Sequence, residues 1–331
     1  MKAPARLGLY GAGLVAVFAV AFATAGAVVP AETVQAWTEE SGEHAAHDDE
    51  EGDDMNGEGG HAGHDAGASS LGLGVAQDGY QLTGVSAPSA TGADGELSLT
   101  VTGPDGEPVT DFETEHEKEL HLIVVRADGQ QFRHVQPEMN PDGVWGIPWR
   151  WDVGGTYRVF ADFVPADTGE AVTLSTTVQV SGVFRAVAAE PATETSVDDF
   201  DVAVTGQLIA GESSTLTMTI THDGQPVTVL EPYLGAFGHL VALRNGDLAY
   251  LHVHPHGDAP QAGQTSGPEV VFEATAPTEG RYLLFLDFQV DGQVHTAPLV
   301  IDTTGSSGGG STSSGETRDQ HGHEEGEDHG N

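Results

Sequence analysis

The chain has no cysteine in its 331 residues. Disulfides, thiolate metal sites, iron–sulfur clusters and cysteine nucleophiles are excluded, so any metal ion must be held by His, Asp, Glu, Met or backbone oxygen. Positive charge is scarce as well. Eleven Lys and Arg stand against 51 Asp and Glu, a formal net charge of −40. A phosphate backbone would be repelled instead of surrendering its counterions, which excludes nucleic acid as a partner. Lys2 and Lys118 are the only lysines, too few for a phosphate-cradling lysine loop. Enzyme signatures are lacking too. Residues 305–309 fit G-x-S-x-G but lie in a Gly/Ser tail instead of on a strand-to-helix turn. His116 and His121 stand five apart and not four, so they do not make the helical H-E-x-x-H zinc motif. Metal-assisted hydrolysis carries the least weight because no general base stands out. The expectation is a protein that is not an enzyme. No segment of 71–302 holds the 3.6-residue apolar period of a long helix.

What is present divides into six stretches. In residues 1–37, Lys2 and Arg6 precede 23 uncharged residues, Leu7 to Val29, long enough at about 1.5 Å per residue to cross a hydrocarbon core of about 30 Å. Basic residues before the span and acidic ones after it predict a single-pass anchor with the remainder outside the cytoplasm. Secretion after cleavage near Ala25 or Ala27 is the alternative, since both follow small-residue patterns, but the apolar run is long for a signal peptide. Residues 38–70 and 303–331 are acidic, His-rich and almost free of large apolar side chains, a composition that predicts disorder: a spacer and a tail. The acidity is not confined to them. Residues 71–302 carry 33 acids against eight bases, a surface that maintains solubility in a saline habitat or concentrates cations.

Between the tails the chain repeats. His121–Arg126 (HLIVVR) recurs as His239–Arg244 (HLVALR), and His134-Val-Gln-Pro137 recurs as His252-Val-His-Pro255, both at an offset of 118. After an insertion of seven, Tyr157–Phe163 matches Tyr282–Phe288 at an offset of 125. This colinear series predicts a first domain over 71–182, a linker over 183–196 and a second domain over 197–302. Short strands with Gly and Asp-Gly turn signals, and a Gly-x-Tyr entry at Tyr157 and Tyr282, predict an all-β fold of two tandem immunoglobulin-like β-sandwich repeats.

Histidine is the residue type left to carry chemistry. A two-residue turn at Asn245-Gly246 would pair Arg244 with Asp247 and set His239 opposite His252. His239, His252 and His254 would then share one face, with His256 just beyond, a set suited to a mononuclear copper or zinc site with an open position. In the first repeat Gln136 replaces the third histidine, leaving a weaker set of His121, His134 and Met139. His44, His47, His61, His64, His321, His323 and His329 lie among carboxylates in the tails and could wrap an ion weakly. Against the ligand reading, His121 and His239 begin apolar strands and could be half-buried rings bonded to backbone. Asp162 and Asp287 occupy equal places in apolar strands, as do Arg126 and Arg244, so an Arg to Asp pair is expected within each sandwich. Trp145, Trp149 and Trp151 are expected in the core and rim of the first.

The pattern His121-Leu-x-Val-Val-Arg126, Phe132-x-His134-x-x-Pro137, Asp142-Gly-x-Trp145 and Gly155-x-Tyr-Arg-x-Phe-Ala-Asp-Phe163 resembles a family of actinobacterial secreted or membrane-anchored proteins, sometimes associated with heavy-metal handling. The resemblance implies an extracytoplasmic β-sandwich and no assigned activity. The leading expectation is a membrane-anchored envelope protein that binds or buffers a divalent transition metal, copper first, through histidines. The alternative is a cell-surface structural or interaction module with an envelope protein partner and no metal role.

Overall fold

The computed structural model describes residues 71–305 apart from 252, 258 and 262. The expected membrane segment, both acidic tails and His252 lie outside the described residues. In the first repeat the strands are β1 (Ala76–Gln77), β2 (Tyr80–Ser86), β3 (Gly95–Thr102), β4 (Phe112–Glu113), β5 (Leu120–Arg126), β6 (Arg133–Val135), β7 (Glu138–Met139), β8 (Val144–Trp149), β9 (Gly155–Pro165) and β10 (Val172–Val180). In the second they are β11 (Glu194–Val197), β12 (Phe200–Thr205), β13 (Ser213–His222), β14 (Gln225–Pro226), β15 (His239–Arg244), β16 (Tyr250–Leu251), β17 (Val253–Pro255), β18 (Glu269–Thr275), β19 (Arg281–Val290) and β20 (Gln293–Asp302). Each repeat has two antiparallel sheets. They run β1-β2-β3-β8-β7 and β10-β9-β5-β6 in the first, then β11-β12-β13-β18-β17 and β16-β15-β19-β20 in the second. The all-β fold and its two sandwich-like repeats are as the sequence predicts.

Alternating apolar residues fill each sandwich. In β3, Leu97, Leu99 and Val101 point inward against Trp145, Trp149 and Trp151, all buried. In the second repeat Leu216, Met218 and Ile220 of β13 meet Phe272 and Phe288. Tyr157 donates its hydroxyl to the Val153 carbonyl at 2.7 Å and Tyr282 to that of Thr278 at 2.9 Å. These are the upstream backbone bonds of a tyrosine corner, one at the head of each matching strand.

Strands β5 and β15 do not alternate. Every residue of β5 is buried, as is all of β15 up to Arg244, because the outer face of each sheet is covered by the other repeat. A third apolar cluster lies there: Ile123, Val125 and Phe160 from the first repeat against Val241, Leu243, Leu283 and Phe285 from the second. Both repeats belong to one compact unit. The seam is reciprocal. Phe132 stacks on Phe285 with ring centres 3.9 Å apart, and Tyr250 meets Phe160 at 5.8 Å. By the repeat offsets Tyr250 is the counterpart of Phe132 and Phe285 that of Phe160, so residue i meets j and j meets i, as across a two-fold axis. Along one edge Tyr250 N donates to Leu71 O at 2.7 Å and Ser175 N to Gly74 O at 2.8 Å, so residues 71–74 strap both repeats.

Two expectations are corrected. The turn after β15 is longer than two residues. Arg244 pairs with Ala249, through Arg244 N to Ala249 O at 2.8 Å, and Leu248 takes the left-handed φ of 60°. Asp247 favours this form by binding Arg244 through both oxygens and accepting Ala249 N at 3.1 Å. The register is Leu243 to Tyr250 and Ala242 to Leu251, after which the chain leaves for the opposite sheet and β17 pairs with β18. The two-residue-turn register that would pair His239 with His252 is therefore not the one formed. The Arg to Asp pairs are not made either. His121 is opposite Asp162 and Arg126 opposite Tyr157 on β9, so Arg126 and Asp162 point to opposite faces. Arg126 binds Asp128 instead, at 2.7 Å, and Arg244 binds Asp247. The same parity separates Arg244 from Asp287, because His239 is opposite Asp287.

Candidate functional site

The parity that removes the Arg to Asp pairs gathers histidines at one end of the seam. His121 is the second residue of β5, His134 lies in β6 and His239 begins β15, all on the faces turned toward the other repeat. A tight turn adds a fourth. Glu115 and Lys118 exchange backbone hydrogen bonds at 2.9 and 3.0 Å, with His116 and Glu117 between them at left-handed φ of 49° and 65°. The matching turn of the second repeat has Leu234 and Gly235 there, at φ 52° and 73°, and a Cβ on Gly235 would lie 3.8 Å from the His116 Cα. His116 thus reaches the cluster from a two-residue hairpin turn.

The rings stand close together. His121 Nδ1 lies 3.1 Å from His134 Nε2. The His239 ring centre is 4.8 Å from that of His116, 6.3 Å from that of His121 and 6.2 Å from that of His134. They open on a cavity of about 80 Å³, lined also by Asp162, Tyr250 and His254. At about 10 to 15 Å³ for one water, that holds several waters or a hydrated ion.

Hydrogen bonds settle which nitrogens face inward. His121 Nε2–H donates to Glu115 O at 3.1 Å and His239 Nε2–H to Leu234 O at 2.8 Å, leaving the Nδ1 lone pair on each ring. His134 Nδ1 is 2.8 Å from Asp287 Oδ2, and Thr296 donates to the other carboxylate oxygen at 2.5 Å. The nitrogens that meet between the rings, His121 Nδ1 and His134 Nε2, are the ones turned away from Glu115 and Asp287.

Burial holds the His239 imidazolium down to about 3 and, reinforced by the neighbouring His134, that of His121 to about 4. Both rings are neutral at neutral pH, the state in which imidazole binds metal. Among the described residues no set of three or more His, Asp or Glu stands ready-made around an ion. The pair His121 and His134 is in place, while His116 and His239 stand wider.

The other predicted residues are elsewhere. His254 is exposed on β17, opposite Glu273, and borders the cavity mouth. His256 follows β17, donating its backbone N–H to Val271 O at 2.8 Å, away from the cavity lining. Met139 is on β7 in the opposite sheet of its sandwich, packed against the first core. Two sheets about 10 Å apart cannot bring its thioether to His121 and His134. His252 and the seven tail histidines are outside the described residues. His116 was not singled out as a ligand, and its one available signal was its position at the centre of a tight turn.

Residues 75–182 and 195–305 each match the family described as Domain of unknown function (DUF8832). The chain belongs to this family, with two copies of its domain. No curated protein matches the sequence. Among solved structures it is similar to a putative membrane anchored protein of Corynebacterium diphtheriae, at 10% identity over 70% of this chain and 60% of that one, with a TM-score of 0.21. It is also similar to the fibronectin(III)-like modules of Clostridium thermocellum CbhA, at 13% identity over 74% of this chain and 100% of that one, TM-score 0.19. The adhesin InvE of Yersinia pseudotuberculosis matches at 10% identity over 67% of this chain and 58% of that one, TM-score 0.21. The chain thus spans about three-fifths of the corynebacterial protein. Among the described residues no helix is long and apolar enough to cross a membrane.

Proposed function

We propose that the protein is a non-enzymatic, membrane-anchored envelope protein that binds one divalent transition metal ion, copper first among candidates, between its two repeats. The observation that carries this reading is the 3.1 Å separation of His121 Nδ1 and His134 Nε2, with the outer nitrogen of each ring already engaged. Two nitrogens each about 2.0 to 2.1 Å from one ion stand about 2.9 Å apart at right angles and about 3.4 Å at the tetrahedral angle. The observed spacing lies between. A linear two-nitrogen site, about 4 Å across, does not fit. His239 and His116 supply the third and fourth imidazoles by moving inward about 1 Å, since rings on a common ion have centres about 5 to 5.5 Å apart. All-imidazole ligation suits Cu(II), Zn(II) and Ni(II), with Cu(II) bound most tightly. The cation-attracting surface and the expected N-terminal anchor are consistent with an envelope role.

The test uses the full chain with the seven tail histidines changed to Ala, titrated calorimetrically with Cu(II), Zn(II) and Ni(II). One ion per chain is expected, bound less tightly as pH falls, because the ligating imidazoles must be neutral. His121→Ala or His134→Ala should abolish binding. A chain that takes up none of the three ions overturns the proposal and favours a surface interaction module.

A further inference from the structure

We infer that Asp287 is a positioning residue for the seam site, fixing a ligand that belongs to the other repeat. This rests on the metal reading above. Asp287 sits in the middle of β19 between Leu286 and Phe288, and only 1% of it is exposed. An ionised carboxylate there is costly unless it is paired and hydrogen-bonded, and the strand around it is otherwise apolar. Packing alone does not explain it. Its two oxygens divide the work: Oδ1 accepts from Thr296 at 2.5 Å, and Oδ2 meets His134 Nδ1, across the seam, at 2.8 Å.

The bond to Asp287 decides what His134 can do. With its proton on Nδ1, held by the carboxylate, the ring must present the Nε2 lone pair, and that nitrogen is the one 3.1 Å from His121 Nδ1. A carboxylate behind a ligating imidazole fixes its tautomer and plane and raises its basicity. The equivalent Asp162 is less buried and is bonded to Thr173 at 2.6 Å and to the Tyr250 hydroxyl at 3.5 Å. Because ligand and carboxylate come from different repeats, the site is complete only when the seam is closed.

The experiment uses the full chain with its tail histidines removed, and Cu(II) as the probe. Asp287→Asn should weaken Cu(II) binding ten- to a hundredfold, the usual effect of losing such an outer carboxylate. It should also change the hyperfine splitting of the bound Cu(II) in its paramagnetic resonance spectrum, which a merely structural residue would leave alone. Asp247→Asn, which removes the carboxylate bound to Arg244 at the far end of β15, controls for general destabilisation: it should lower the melting temperature without altering affinity or spectrum. If Asp287→Asn does not fold, Thr296→Val carries the test, with a severalfold loss of affinity and a spectral change expected. A parent chain that binds no Cu(II) sinks the metal reading itself. A parent that binds while both folded variants match it in affinity and spectrum overturns the role of Asp287 alone.

Discussion

At the scale of single residues, the buried imidazoles make stability depend on pH in a stated direction. In the unfolded chain His121 and His239 ionise near 6.5, whereas in the fold they stay neutral down to about 4 and about 3. Between those values the unfolded chain binds more protons, so the stability present above about pH 6.5 is lost as pH falls, by up to about 1.4 kcal/mol per pH unit for each histidine. Urea unfolding of the metal-free chain should therefore show a loss of several kcal/mol between pH 7 and pH 4.5. His239→Phe should flatten that slope by about 1.4 kcal/mol per unit at most. A slope unchanged by the substitution would contradict the assignment. These residues were partly legible in the sequence: a histidine near the head of an apolar strand in each repeat reads as a buried ring bonded to backbone, and His121 Nε2 meets Glu115 O as His239 Nε2 meets Leu234 O. His116 was not. Its role depends on a left-handed pair that carries the ring across a hairpin turn, and residue spacing does not encode that.

At the scale of elements, what the sequence shows and what it hides follow from different physics. The repeat, the short strands and the tyrosine corners rest on local patterns, which the structure reproduces. The hairpin register did not follow, because the side chain of Asp247 stabilises a four-residue turn over the two-residue turn that Asn245-Gly246 favours. The doubly covered strands were visible as unbroken apolar runs, HLIVVR and HLVALR, but a single sequence does not say what covers the second face. Close approach across the seam makes this testable. Gly129 has a φ of 79°, and a Cβ there would overlap the Leu283 side chain of the other repeat. Gly106 has a similar φ of 83° and nothing within 4 Å. Gly106→Ala should cost about 1 kcal/mol through the backbone alone, and Gly129→Ala a further 1 to 3 kcal/mol or so through overpacking. Thermal melts of the two variants would check the difference. Equal losses would mean that the seam yields at no cost.

At the scale of the whole molecule, reciprocal contacts make the seam resemble an isologous dimer interface enclosed in one chain. Phe132 on Phe285, stacked at 3.9 Å, and Tyr250 on Phe160, tilted at 5.8 Å, are equivalent pairs by the repeat offsets, and Ile123 and Val125 share one apolar cluster with their counterparts, Val241 and Leu243. A surface that is complementary to its own duplicate is close to complementary to itself. Cut from the chain, the first repeat would expose this apolar face, and monomeric domains rarely leave such a patch open. The polypeptide 71–182 should therefore associate into a two-fold dimer in sedimentation experiments, with Asp162 of each copy in the place of Asp287. It should bind copper as a dimer and lose the ion on dilution, since ligand and positioning carboxylate would belong to separate molecules. Phe160→Ser should keep it monomeric, because it removes half of the aromatic contact at the centre of the face. If the wild-type repeat stays monomeric at all concentrations, the pairing of the two repeats depends on the linker and on the strap at 71–74, and not on the complementarity of their faces.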